Sequence, residues 1–75
     1  IFMISSNNEN INILFGKRVK ECRTNLGISQ EELGYMTGLH RTYIGMVERL
    51  ERNPSLVCIH KIANGLGINI KELFV

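Results

Sequence analysis

Arg41, Thr42 and Tyr43, three consecutive residues near the middle of this 75-residue chain, carry its most informative chemistry. An arginine can donate two parallel hydrogen bonds to guanine O6 and N7 in the DNA major groove, a contact worth about 1–3 kcal/mol of discrimination against a wrong base. The hydroxyl and methyl of Thr42 suit a base edge or a thymine methyl, and the Tyr43 phenol suits a phosphate or a distorted base step. Met46 offers no hydrogen bond, which narrows base reading to Arg41 and Thr42. Gln30, at the expected N-terminus of a helix where free N–H groups favour anions, is a candidate phosphate contact, and Arg49, Arg52 and Asn53 are others. Each has a plainer alternative: Arg41 as a solvated surface arginine, Tyr43 as a core-edge residue with a wet hydroxyl.

For these side chains to project outward, a second helix must brace the one that bears them. Leu33 supplies an apolar anchor and Gly34 a small residue where two backbones approach. Gly38 supplies a turn tolerant of positive φ, Leu39 an apolar plug, and Ile44 with Val47 an inward pair one turn apart. Together they predict a helix-turn-helix over residues 30–49, with the outward, recognition helix at about 40–50. Ser29 and Glu32 form a capping box that opens the bracing helix at Gln30, with Leu33 and Met36 inward. In the recognition helix Arg41, Thr42, Gly45 and Arg49 fall away from the inward face.

The flanking segments complete an all-α pattern. Phe15, Val19, Cys22 and Leu26 recur at helical spacing before Gly27 and predict a first helix over about 12–26. Ser55 is placed to cap a fourth, with Leu56, Ile59, Ile62, Ala63 and Leu66 inward and Gly67 closing it. Asn69 with Glu72 predicts a short fifth. The polar run from Ser5 to Asn10 predicts a flexible arm over residues 1–10, leaving 11–75 as the folded domain. The start Ile1-Phe2-Met3 leaves open whether Met3 is the initiator or the first residues are foreign.

Composition excludes several classes. The apolar runs fall far short of the roughly 18 residues that would span a bilayer, so a cytoplasmic protein is expected and no membrane partner. No phosphate-cradling glycine loop, nucleophile elbow or carboxylate pair argues for an enzyme, and no cofactor or small-molecule ligand is expected. Cys22, Cys58, His40 and His60 lack metal-ligand spacing, so no metal is expected, and both cysteines are expected as reduced core residues. A net charge of +2 is weak support for a polyanion partner. Two recognition helices must meet successive major grooves about 34 Å apart, which calls for a two-fold homodimer. Ile70, Leu73, Phe74 and Val75 are the expected interface, the alternative being that they cap the monomer core.

Ser29-Gln30-Glu31-Glu32-Leu33 followed by Gly38-Leu39-His40-Arg41-Thr42-Tyr43-Ile44 resembles the phage-repressor-like, XRE-type helix-turn-helix family. Arg41 to Ile44, Glu48-Arg49 and Arg52 to Leu56 are most similar to controller proteins of restriction-modification systems. The resemblance implies a lambda-repressor-like five-helix bundle, a palindromic double-stranded DNA operator and control of endonuclease expression by a homodimer. It also implies an ion pair between Arg23 and Glu48 tying the first helix to the recognition helix. A phage-type repressor is an alternative, and so is a protein-interaction module such as an antitoxin or anti-repressor. Many relatives have glycine where this chain has Leu50, so either leucine adopts the left-handed exit at a cost of order 1 kcal/mol or the helix runs on. With no ligand domain expected, the switching variable is concentration through dimerisation.

Overall fold

Four α-helices and a terminal 3-10 turn make up residues 8–74, which the computed structural model describes. They are α1 (Asn8–Asn25), α2 (Gln30–Thr37), α3 (Arg41–Glu48) and α4 (Leu56–Leu66), followed by the turn over Ile70–Phe74. α1 begins inside the segment expected as an arm, while residues 1–7 lie outside those described. The fifth α-helix is corrected to the 3-10 turn. It has only five residues, Leu73 at its end is drawn fully into the core, and such short pieces favour the tighter winding.

The helix ends are set by local chemistry. Ser29 Oγ accepts from Glu32 N–H at 2.9 Å while Glu32 Oε1 accepts from Ser29 N–H at 2.7 Å, so the capping box opens α2 as expected. Ser55 Oγ caps α4 by accepting from Cys58 N–H at 3.2 Å. Gly38 ends α2 with φ 77°, a left-handed geometry that costs glycine nothing.

α3 ends differently. Leu50 N–H donates to Val47 O at 3.1 Å and Glu51 N–H to Met46 O at 2.8 Å, the two bonds of a Schellman exit, with Leu50 itself at φ 66°. The helix stops at Glu48 and does not run on to Leu50: leucine occupies the left-handed position that glycine usually takes. Its side chain is half exposed, with Cδ2 lying over Gly16 of α1. Leu50→Asn, which tolerates this φ, should raise unfolding stability by roughly 1 kcal/mol in urea melts. No gain would show that leucine's packing already compensates.

The core is one cluster of Phe15, Val19, Leu33, Ile44, Val47, Ile62, Ala63, Leu66 and Leu73, with Leu39 packed on it from the α2–α3 turn. Four residues expected inside are corrected to exposed or boundary positions. Leu26 lies past the end of α1, Met36 on the outer side of α2 and Leu56 at the first position of α4, all exposed, and Ile59 is only partly buried. Cys22 and Cys58 are free thiols, also partly buried rather than fully in the core. Two glycines allow unusually close approaches, to α3 and to the turn before it. A Cβ on Gly16 would lie 2.7 Å from Val47 O, and one on Gly34 would lie 2.6 Å from Leu39 O. Among the described residues no helix is long and apolar enough to cross a membrane.

Candidate nucleic-acid interface

Ile44 and Val47 anchor the inner face of α3 in the core, and this fixes what its outer face presents. His40 precedes the helix in extended geometry, and its Nδ1 accepts from Thr42 N–H at 3.0 Å. Imidazole accepts this bond through the lone pair of an unprotonated Nδ1. Sequence reasoning missed this cap because histidine is not among the usual N-cap residues. Arg41 and Thr42, the next two residues, are exposed at the mouth of the helix.

Arg41 borders an open hollow of about 440 Å³ between α2 and the start of α3, lined also by Glu31, Tyr35, Leu39 and His40. Its Nη1 stands 3.7 Å from Glu31 Oε2, and both side chains are largely in solvent. Tyr35, on α2, is 88% exposed beside it. Sequence reasoning passed over Tyr35, although its place two residues after the buried Leu33 already turns it away from the core.

Tyr43 is half buried and packs on the core edge. Its phenol is pushed up to about 12, first by burial and then by hydrogen bonding to the Cys58 thiol of α4, while Arg52 opposes the shift. The Cys58 thiol is correspondingly lowered, chiefly by a hydrogen bond from the Ser55 hydroxyl and next by Tyr43. The Arg52 guanidinium lies over the Tyr43 ring, 5.9 Å from its centroid. Because the native phenol binds its proton more tightly than the unfolded one, Tyr43 supports folding fully below pH of about 10, and that contribution fades as pH rises toward 12. An ultraviolet titration of the native chain against Tyr43→Phe should therefore lose a phenolate step near pH 12. Loss of a step near 10 instead would mean the burial is not felt.

The phosphate candidates divide. Arg49, Arg52 and Asn53 are exposed just beyond α3, with Arg49 Nη2 3.1 Å from Glu51 Oε1. Gln30 is half buried, and its Nε2 donates to Glu48 Oε1 at 3.0 Å, so its donor is turned toward α3 rather than solvent. Gly45, expected on an outward face, is buried beneath the Gln30 and Arg49 side chains. The same Glu48 carboxylate receives Arg23 Nε at 2.7 Å and Nη2 at 3.1 Å, and Arg23 Nη1 donates to Ile28 O at 2.8 Å. The side chains of Arg23 and Glu48 are only 12% and 3% exposed, so a fully hydrogen-bonded ion pair ties α1 to α3.

The expected dimer residues are also divided. Leu73 is fully buried and belongs to the monomer core, which corrects its place in an interface. Ile70 and Phe74 remain partly in solvent, Phe74 stacking on Phe15 with ring centroids 5.4 Å apart, and Val75 lies outside the described residues. Among the described residues no cluster of three or more histidine, cysteine or acidic side chains forms a metal site.

Comparison with known proteins places this geometry in a family. The helix-turn-helix family signature matches residues 19–73. The chain is 46% identical over 65 residues to the control protein C.BamHI of Bacillus amyloliquefaciens, covering 85% of this chain and 80% of that protein. It is 43% identical to the control protein C.MunI of a Mycoplasma species, covering 85% and 88%. Among solved structures it resembles the restriction-modification controller protein C.AhdI from Aeromonas hydrophila, with TM-score 0.82 and 51% identity over 84% of this chain and 96% of that one. The match covers both halves of the reader, from the α2 capping box through the exposed start of α3, and the chain therefore belongs to the helix-turn-helix family, on its branch of restriction-modification controller proteins.

Proposed function

We propose that two copies of this chain bind a near-palindromic operator in duplex DNA and regulate transcription of restriction-modification genes, their own among them. The observation that carries the reading is the exposure of Arg41 and Thr42 at the capped start of a helix whose opposite face is locked into the core. A recognition helix reads base edges with its N-terminal residues, so this is where base-reading side chains belong. Arg41 reads guanine, Thr42 a neighbouring base, and Tyr43 acts at the edge of the contact with its phenol uncharged. Arg49, Arg52 and Asn53 grip phosphates and set the register. Gln30 serves the phosphate side only through its backbone N–H at the start of α2, because its side-chain donor is engaged by Glu48.

The dimer uses the C-terminal surface around Ile70 and Phe74, both of which leave apolar area exposed. Assembly above a threshold concentration couples operator filling to protein accumulation and delays the response.

An electrophoretic shift against duplexes selected by the chain from a randomised pool, titrated with salt, tests the reading. A specific complex that weakens steeply with salt, about 0.9 in log K per log salt for each phosphate neutralised, is expected. A protein-interaction module of the same fold would form no such complex. Sedimentation of the operator complex should show two chains per site; a lone chain would remove the dimer.

A further inference from the structure

Arg52 belongs to the irregular segment between α3 and α4 and is exposed, yet its guanidinium sits over the face of the Tyr43 ring, 5.9 Å from the centroid. The other arginines each face a carboxylate: Arg18 faces Glu21, Arg23 faces Glu48, Arg41 faces Glu31 and Arg49 faces Glu51. Among the described residues Arg52 has no such partner. The difference matters, because a carboxylate occupies the N–H groups on the rim of a guanidinium, whereas an aromatic face touches its plane and leaves the rim available. Tyr43 is itself anchored: it belongs to α3, packs against the core, and its hydroxyl is engaged by the Cys58 thiol of α4. The ring therefore moves with the outward helix and not with the irregular segment that bears Arg52.

We infer that Tyr43 is a positioning residue whose ring seats the Arg52 guanidinium, before DNA arrives, where it meets a backbone phosphate. The inference rests on Arg52 gripping phosphate, as proposed above. An arginine on irregular chain samples many rotamers, and only chains with the guanidinium already in place bind without a further loss of freedom. Apparent affinity scales with that fraction. Phosphate bonds to the rim of the guanidinium and the ring to its plane, so the seat is kept in the complex and not exchanged for the new contact. An exposed seat of this kind raises the seated fraction about twofold, which in a complex of two copies strengthens binding about fourfold. Phosphates recur whatever the base sequence, so the effect is the same on every duplex.

The test measures what Arg52→Ala costs in affinity in three backgrounds: the native chain, Tyr43→Phe and Tyr43→Leu. Each is bound to a duplex selected by the native chain and to a scrambled duplex of equal length and composition. On both duplexes the cost should be the same in the native and Tyr43→Phe backgrounds, because phenylalanine keeps the ring face, and about fourfold smaller in Tyr43→Leu. Whatever Tyr43 does on its own, to the fold or to DNA, cancels in this comparison. An equal cost in all three backgrounds, or one reduced as much by Tyr43→Phe as by Tyr43→Leu, would overturn the inference and leave the DNA reading intact. A second measurement needs no variant: nuclear Overhauser contacts between the Arg52 δ-methylene and the Tyr43 ring should be present in the free chain and persist on the selected duplex. Their loss on binding would show that the seat is given up, and would overturn the inference equally. If Arg52→Ala costs the native chain nothing on either duplex, the phosphate role of Arg52 falls and the inference with it, while base reading by Arg41 stands.

Discussion

Arg23→Met should unfold most of the chain at physiological temperature. The substitution keeps the aliphatic stem but strands the Glu48 carboxylate, 3% exposed, with Gln30 as its remaining side-chain partner. Breaking a buried ion pair from one side costs about 3–5 kcal/mol. A single core in a domain this small supplies net stability of about the same size. Adding Glu48→Leu to Arg23→Met should restore most of the loss, because an apolar pair of similar volume no longer leaves a charge out of water. Urea melts of the single and double variants measure this directly. A single variant that loses less than about 1 kcal/mol would mean water reaches the carboxylate and the tie between α1 and α3 is slack.

Arg41→Ala should leave folding unchanged and remove sequence-specific binding. The side chain is 63% exposed and its partner Glu31 equally so, hence the melt should not move. In a two-fold complex the arginine is lost from both half-sites, so discrimination falls by about 2–6 kcal/mol, from thirtyfold to more than ten-thousandfold. Arg52→Ala should behave differently, weakening selected and scrambled duplexes alike and lowering the salt slope by about two phosphates, one from each half-site. Equal losses on both duplexes for Arg41→Ala would reassign that residue to the backbone and leave sequence reading to Thr42.

What the sequence disclosed depended on how local its cause was. The capping box at Ser29 and Glu32, the cap at Ser55 and the turn at Gly38 are set within four residues, and all were legible. The inner positions of helix middles, Phe15, Val19, Leu33, Ile44 and Ile62, follow from periodicity alone. Leu26 and Leu56 sit at element ends, where the next chain segment, not the period, decides what is covered, and both were misplaced. Leu73 went astray in the other direction: a residue near the C-terminus looked available for a partner, yet α1 and α4 close over it. At the site, the outward stretch Arg41-Thr42 was readable from the turn before it. The engagement of Gln30 by Glu48, eighteen positions away, was not, because side-chain direction depends on how α2 crosses α3. His40 escaped for a related reason, since its role arises only once Thr42 N–H has been set in place.

Gly16 lets α1 come close to Val47 O and the Leu50 side chain at the end of α3, and Gly34 lets α2 come close to Leu39 O in the turn and Arg41 N at the start of α3. Both ends of α3 therefore lie close to neighbouring backbone, which leaves little room for it to shift toward α1 or α2. Altered sequence preference in proteins built on this plan must then come from exchanging the few side chains at the tip, with aim and depth inherited unchanged. That makes the recognition tip a replaceable cartridge: grafting a new pair at 41 and 42 should retarget the protein without any redesign of the frame behind it.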